Sequence, residues 1–199
     1  PIGASALTGH TITCPPGVPA IEPYLARPRT SSLMAQLDAI FFEASGTKTF
    51  ASSEACATFR ERWLGRYLAH DAQHAFLAVA GAGSPGETLA GYLVGSIEDP
   101  ALAPRFDDLG YFKALSHLTA RYPAQLHVNL ASSWQGRGVG SALVEAFCQH
   151  VQGLSVPGVH LFTGRGMRNV RFYERAGFTE AGSVVWNGRE IVMLVRDLS

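Results

Sequence analysis

The residues that decide the fold are 125–151, which read QLHVNLASSWQGRGVGSALVEAFCQHV. They predict a short apolar strand over 126–130, a glycine-rich turn over Gln135–Gly140 and an amphipathic helix over 139–151. One face of that helix should pack on a sheet, because apolar residues recur every four positions, at Val139, Leu143, Phe147 and Val151. Successive glycines let backbone N–H groups converge on an anion, and the helix start adds the positive end of its dipole. The stretch therefore predicts a phosphate-binding turn.

Two familiar phosphate motifs do not fit the glycine spacing. A P-loop ends in Gly-Lys-Ser/Thr, whereas Gly140 is followed by Ser141 and Ala142. A dinucleotide fingerprint needs a third glycine at position 141 and an acidic residue about twenty positions later, and 154–156 reads Leu-Ser-Val. The turn is then either an ordinary strand-to-helix connection or a phosphate loop of another kind.

Composition limits the class of protein. The chain has 199 residues, of which 47% are apolar and 16% charged, as expected for one soluble domain with a sizeable core. Basic and acidic residues balance at 16 each, so nothing in the net charge favours nucleic-acid binding. The three cysteines lack Cys-x-x-Cys spacing, which argues against a disulfide framework or a metal site. We expect a cytoplasmic monomer or homodimer with small-molecule partners, because neither a membrane span nor a secretory signal is found.

The remaining chain predicts one domain over 23–199, preceded by a flexible arm over 1–22. Before the central stretch, the expected elements are a strand at Tyr24–Pro28, a helix capped by Ser31 or Ser32 and stopped by Gly46, a helix from about Ser53, and strands at 75–80 and 89–97. Residues 99–123 are interpreted as an insertion with a helix near 111–121. After the central stretch we expect a strand at 159–163 parallel to 126–130, a helix at 168–176, and a hairpin turning at Asn187-Gly188.

A second motif lies at 172–178, reading FYERAGF. Together with the Gln135–Gly140 turn, which fits Gln/Arg-x-x-Gly-x-Gly/Ala, it resembles the paired signatures of the GNAT acetyltransferase superfamily. The resemblance implies an α+β fold with a mixed, mostly antiparallel sheet of about seven strands, splayed at strands 4 and 5. More narrowly, 122–129 and the helix end at 41–46 are similar to the acetyltransferase-like C-terminal domain of O-GlcNAcase and its bacterial relatives.

The resemblance also implies a site for acetyl-CoA. Backbone groups of Val128 and Leu130 would hold the pantetheine arm, and amides of the glycine turn would hold the pyrophosphate. The full set of expected coenzyme-binding residues is Val128, Asn129, Leu130, Gln135, Gly136, Arg137, Gly138, Val139, Gly140, Ser141 and Asn169. The chain departs from the family at position 166, where a glycine stands in place of a frequent asparagine, and Asn169 lies one helical turn nearer the tyrosine.

The expected chemistry is attack of an amine on a thioester, which needs a base for the amine and an acid for the leaving thiolate. Tyr173 resembles the family's acid, while a role in the core alone is the other interpretation. Four residues remain open as the base: His127, His160, Glu43 and Glu98. The predicted function is acetyl-CoA-dependent N-acetylation of a primary amine on a small molecule or peptide. The alternative is a non-catalytic acyl-CoA-binding or interaction domain of the same fold.

Overall fold

The computed structural model describes residues 19–199. Most of the predicted arm at 1–22, namely residues 1–18, lies outside the described residues. The strands are β1 (Ala20–Pro23), β2 (Phe76–Ala80), β3 (Thr88–Ser96), β4 (Ala124–Leu130), β5 (Gly158–Gly164), β6 (Thr179–Trp186) and β7 (Arg189–Asp197). The α-helices are α1 (Ser31–Ala44), α2 (Ser53–Arg60), α3 (Arg66–His70), α4 (Tyr111–Ala114), α5 (Ser116–Thr119), α6 (Val139–Gly153) and α7 (Val170–Arg175). None of the helices in 19–199 has the length and apolar character needed to cross a membrane.

The seven strands form one sheet in the order β1-β2-β3-β4-β5-β7-β6. Every neighbouring pair is antiparallel except β4 and β5, which are parallel as the helical crossover through α6 predicts. The predicted α+β fold with a mixed, mostly antiparallel sheet is confirmed.

The sheet opens between β4 and β5. Their ladder consists of only two rungs, Ala124 with Val159 and Gln125 with His160. Beyond these rungs β4 stays paired with β3 as far as Leu130, and β5 stays paired with β7 as far as Gly164. The predicted splay is therefore confirmed, and it begins immediately after Gln125.

Each face of the sheet carries its own hydrophobic core. On the first face, α1 and the helical stretch 53–70 pack with the 99–123 segment over β2 and β3. On the second face α6 and α7 pack, and the predicted apolar stripe of α6 is completely buried: Val139, Leu143, Phe147 and Val151. The splay therefore lies between two separately packed layers.

The N-terminal strand prediction at Tyr24–Pro28 is wrong. The strand lies earlier, at Ala20–Pro23, and residues 24–26 form a 3₁₀ turn closed by a bond from Arg27 N–H to the Tyr24 carbonyl at 3.2 Å. The turn buries the Tyr24 ring in the core and leaves both Leu25 and Ala26 exposed, so the side chains do not alternate as in a strand. The predicted domain boundary at 22/23 consequently falls inside β1.

Four helices differ from the predictions at their ends or in their continuity. The cap of α1 is Thr30, whose hydroxyl accepts from the Leu33 amide at 3.1 Å, and not Ser31 or Ser32. The helix from Ser53 continues through a π turn at Glu61–Gly65 into α3. The helix expected at 111–121 is divided into the single-turn helices α4 and α5, and α7 is shorter than expected. The C-terminal hairpin is confirmed, with Asn187 and Gly188 both at positive φ as a type I′ turn requires.

Candidate active site

The free edge of β4 is determined by strand alternation. The Ala131 amide donates to the Ala90 carbonyl of β3 at 3.0 Å. The odd-numbered residues of β4 therefore direct their backbone N–H and C=O groups to β3 as well. The backbone groups of Val128 and Leu130 therefore point to the splayed side, where the two-rung ladder with β5 has already ended. These are the two residues from which the resemblance implies pantetheine contacts.

Asn129 does not lie on that free edge. Its backbone faces β3, and its side-chain amide donates to the Tyr92 hydroxyl at 2.9 Å on the opposite side of the strand from Val128. In this structure Asn129 braces β4 against β3, and the coenzyme contact predicted for it stays a prediction.

The glycine turn has the shape of an anion site. Gly136 and Gly138 both have left-handed backbones, with φ of 73° and 81°, a conformation that glycine adopts without strain. A Cβ placed on either residue would meet no atom within 4 Å, so the space above the turn is open. The two glycines are thus required by the backbone conformation and not by internal packing.

The start of α6 supplies hydrogen-bond donors to the same space. Its first backbone bond runs from Ala142 N–H to the Gly138 carbonyl at 3.1 Å, so the amides of Val139, Gly140 and Ser141 precede the helical ladder. No side chain caps this end, and no acidic residue stands in the first turn. Three N–H groups and the positive end of a 15-residue helix therefore face the open turn.

Gly140, the third glycine of the turn, is required by packing and not by backbone conformation. A Cβ on Gly140 would lie 3.2 Å from Phe172 Cζ and 3.3 Å from Leu130 Cδ1. Gly140 thus lets the first turn of α6 approach both β4 and α7, which joins the two sequence motifs in one site.

Tyr173 lies on α7 in the same hydrophobic cluster as Val128 and Leu130. Its ring packs edge-on against Phe172 and Phe178, with centroids 4.8 and 5.8 Å away. Burial raises the pKa of its phenol well above the ordinary value, so the hydroxyl keeps its proton at any physiological pH. Within residues 19–199 no hydrogen bond to this hydroxyl is found, which leaves it able to donate.

Asn169 begins α7 and is held by β5. The Thr163 hydroxyl donates to Asn169 Oδ1 at 2.8 Å, so the NH₂ group of the amide remains available as a donor. Gly166, where the family often has asparagine, is at a φ of 74° in the turn between them. Asn169 therefore supplies the side-chain amide closest in sequence to position 166, where the family often has asparagine.

Two further loop residues lie beside the turn. The Arg137 guanidinium stacks over the Trp134 ring at 5.3 Å, and both Arg137 and Gln135 are exposed. A cation held at this point adds positive potential next to the α6 amides. Arg137 and Gln135 therefore both lie where a phosphate group at the turn could contact them.

A cavity of about 250 Å³ occupies the splay on the first face of the sheet, opposite Tyr173. Its walls are largely aromatic: Trp63, Tyr111, Phe112, Phe162 and Trp186. Gln125, His127, His160 and Thr163 supply its polar surface, and none of its lining residues is Asp, Glu, Lys or Arg.

The structure separates the four candidate bases. His127 and His160 both line the cavity, and burial lowers the pKa of each to about 4. His127 is held at 3.0 Å from the Tyr67 hydroxyl. Glu43 instead accepts from the Ser132 amide on the exposed end of α1, and Glu98 pairs with Arg105 at 2.6 Å. Neither carboxylate lines the cavity, so the two histidines remain.

Part of the cavity wall was not predicted from the sequence. Trp63 comes from the helical stretch 53–70 and Trp186 from the C-terminal hairpin. Tyr111 and Phe112 come instead from the 99–123 segment and pack on Phe162 of β5, with centroids 4.6 and 5.6 Å away. The aromatic content of that segment was the available signal.

Comparison with known proteins agrees with this geometry. Residues 107–180 match the family model described as an acetyltransferase (GNAT) domain. Among solved structures, SsHAT is 26% identical with a TM-score of 0.66, covering 91% of this chain and 98% of that one. A chain of the NatC complex bound to Gag peptide and CoA is 16% identical, with a TM-score of 0.60 and coverage of 90% and 98%. The ribosomal-protein-S18-alanine N-acetyltransferase from Escherichia coli is 17% identical, with a TM-score of 0.54 and coverage of 90% and 93%.

The splayed seven-stranded sheet with a glycine turn at the start of α6 defines an acyltransferase fold of the GNAT type. The fold is therefore similar to that of GNAT acetyltransferases, and residues 107–180 match the model of their domain.

Proposed function

We propose that this chain is an acetyl-CoA-dependent N-acetyltransferase acting on a primary amine, with a single domain that includes all of β1 (Ala20–Pro23). Acetyl-CoA is the acyl donor that the match to a GNAT acetyltransferase domain implies. One observation carries the proposal: the free edge of β4, the α6 amides and Tyr173 lie on one face of the splay, and the aromatic cavity lies on the other face.

The residues divide into three roles. The amides of Val139, Gly140 and Ser141, with Gln135 and Arg137 beside them, bind the pyrophosphate. The backbone groups of Val128 and Leu130 extend the sheet onto the pantetheine arm, as a peptide strand would.

Tyr173 donates a proton to the departing thiolate from the α7 side. The amine approaches from the cavity, so donor and acceptor reach the same opening without competing for space. The site also fits acetyl-CoA chemically. The pyrophosphate anion would contact the N–H donors at the start of α6, and the uncharged thioester would contact apolar side chains.

A binding domain without turnover is the second candidate. It is favoured by the lack of any carboxylate among the cavity residues and by Gly166, since both remove groups that a transferase could use. The two candidates share coenzyme binding and differ only in transfer.

Calorimetric titration with acetyl-CoA tests the shared property, and an amine screen for thiol release tests the transfer. Binding with turnover supports the transferase. Binding without thiol release from any amine supports the binding domain, and absence of binding contradicts both.

A further inference from the structure

Gln125 and His160 are the last paired residues before the splay, and both line the cavity. Their exposed fractions are 2% and 0%. Within residues 19–199, Gln125 Nε2 and His160 Nε2 are enclosed nitrogen atoms without a hydrogen-bond partner. Enclosed polar atoms left unpaired are costly, so two such atoms on residues that line one cavity indicate a site that a ligand completes.

The two nitrogens differ in chemistry. Gln125 Oε1 accepts from the Tyr67 hydroxyl, which identifies Nε2 as the NH₂ donor. His160 Nδ1 faces the Tyr122 carbonyl oxygen and must carry the ring proton, so Nε2 holds a lone pair. The pair therefore offers one donor and one acceptor, whereas an ammonium group could satisfy only the acceptor.

The cavity also lacks a counter-charge for an ammonium group. Its side walls are rings, including Trp63, Tyr111 and Phe112, and its titratable members besides Tyr111 are His127 and His160. Asp99 and Arg66 act on these histidines only from a distance. Removing an ammonium ion from water without a partner carboxylate is unfavourable, while burying an aromatic ring is favourable.

We propose that the cavity binds the acetyl acceptor as an uncharged aromatic amine, with an amine N–H held by His160 Nε2. This inference rests on the proposed function. In the transfer, the amine lone pair attacks the thioester carbonyl carbon, a C–N bond forms and the C–S bond breaks. His160 accepts the proton that the amine loses, and the thiolate takes a proton from Tyr173.

The basicity of the site agrees with that choice of substrate. An imidazole whose pKa is about 4 is a poor acceptor for the proton of an alkylammonium ion, whose pKa is about 10. An aromatic amine is already neutral at pH 7, and its N–H becomes acidic only as the new bond forms. No prior deprotonation is then required.

The first experiment compares aniline, benzylamine and cyclohexylamine as acceptors for acetyl-CoA at pH 7. We expect aniline to be acetylated at least tenfold faster than the other two, and we expect the gap to narrow as rising pH neutralises them. Equal or faster acetylation of the alkylamines at pH 7 would overturn this inference while leaving the proposed transferase intact. Binding of acetyl-CoA without any acetylation, or no binding at all, would remove both.

The second experiment changes the charge of the cavity. Gln125→Glu keeps the shape of the side chain and adds the missing carboxylate, so the benzylamine-to-aniline rate ratio should rise at least tenfold. Gln73→Glu adds the same charge on an exposed residue outside the cavity and should leave the ratio unchanged. An unchanged ratio in a folded Gln125→Glu protein contradicts the inference.

The third experiment needs no variant. With CoA present, aniline should shift the Nε2 resonance of His160 in a nitrogen-15 spectrum of the histidine rings. His74 and His150, which contact each other outside the cavity, serve as internal references and should not move. Failure of the His160 resonance to respond would overturn the assigned contact.

Discussion

Gln125 of β4 pairs with His160 of β5 in the last rung of the β4–β5 ladder, and the sheet opens directly after this rung. Backbone pairing fixes the positions of both residues, so the polar end of the cavity is set by the sheet and not by a loop. The wider part of the cavity is set by helices and the hairpin, which place Trp63, Tyr111 and Trp186 around it. The sheet fixes the polar end of the cavity, while other elements supply its walls. Changes in the wall residues can therefore alter which acceptor binds without altering the coenzyme-binding face.

Ser141→Glu is expected to weaken acetyl-CoA binding at least tenfold without lowering the melting temperature. The carboxylate would stand in the first turn of α6, where it stabilises the helix dipole by about 0.3–1 kcal/mol but repels a pyrophosphate. Ser141→Gln is the matched uncharged control and should bind closer to the unmodified protein. Full affinity in Ser141→Glu would mean that these amides do not hold the phosphates.

Gly140→Val is expected to destabilise the fold by about 1–3 kcal/mol, as overpacking usually does. The added side chain meets Phe172 and Leu130, which already lie 3.2 and 3.3 Å from the Cβ position. Gly153→Val at the other end of the same helix meets nothing within 4 Å and should stay within about 0.5 kcal/mol. Urea unfolding measures both, and equal effects would refute the role given to Gly140.

How far the site could be predicted from sequence depends on the range of the interactions. The α6 stripe and the Asn187-Gly188 turn are set by periodicity and backbone conformation, so both were found. The backbone edge at Val128 and Leu130 followed from the family resemblance and agrees with strand alternation. The bond from Asn129 to Tyr92 could not be predicted because the two residues are on different strands, and Tyr111 was missed because its contact with Phe162 joins distant segments. Strand β1 lies earlier than predicted because the 3₁₀ turn at residues 24–26, closed by the bond from Arg27 N–H to the Tyr24 carbonyl, ends it.

The stability of the protein should fall as the pH drops from about 6.5 to about 4. Burial lowers the pKa of His74 to about 4, and burial also lowers the pKa of His150, which lies 2.9 Å from it. An unfolded histidine has a pKa of about 6.5, so between these values the unfolded state binds more protons and gains stability. Each such group contributes at most about 1.4 kcal/mol per pH unit, and its contribution stops changing below its folded pKa.

His74→Gln should reduce that slope, and His70→Gln, on an exposed residue, should not. Urea unfolding at several pH values between 7 and 4 gives the slope directly. A slope that His74→Gln leaves unaltered would show that His74 is not buried in its neutral form.

Tyr173→Phe is expected to lower acetyl transfer by roughly 10²-fold, the size assigned to a positioned acid, while acetyl-CoA affinity stays the same. The substitution removes only the hydroxyl, and the ring contacts with Phe172 and Phe178 remain. No partner of that hydroxyl is found within residues 19–199, so its loss should not lower the melting temperature. Tyr24→Phe, on a buried tyrosine of the other core, is the matched control and should keep full activity. Single-turnover kinetics with the best amine and a melting curve separate the outcomes: unchanged transfer with a lower melting temperature would make Tyr173 structural and assign the thiolate proton to another group or to water.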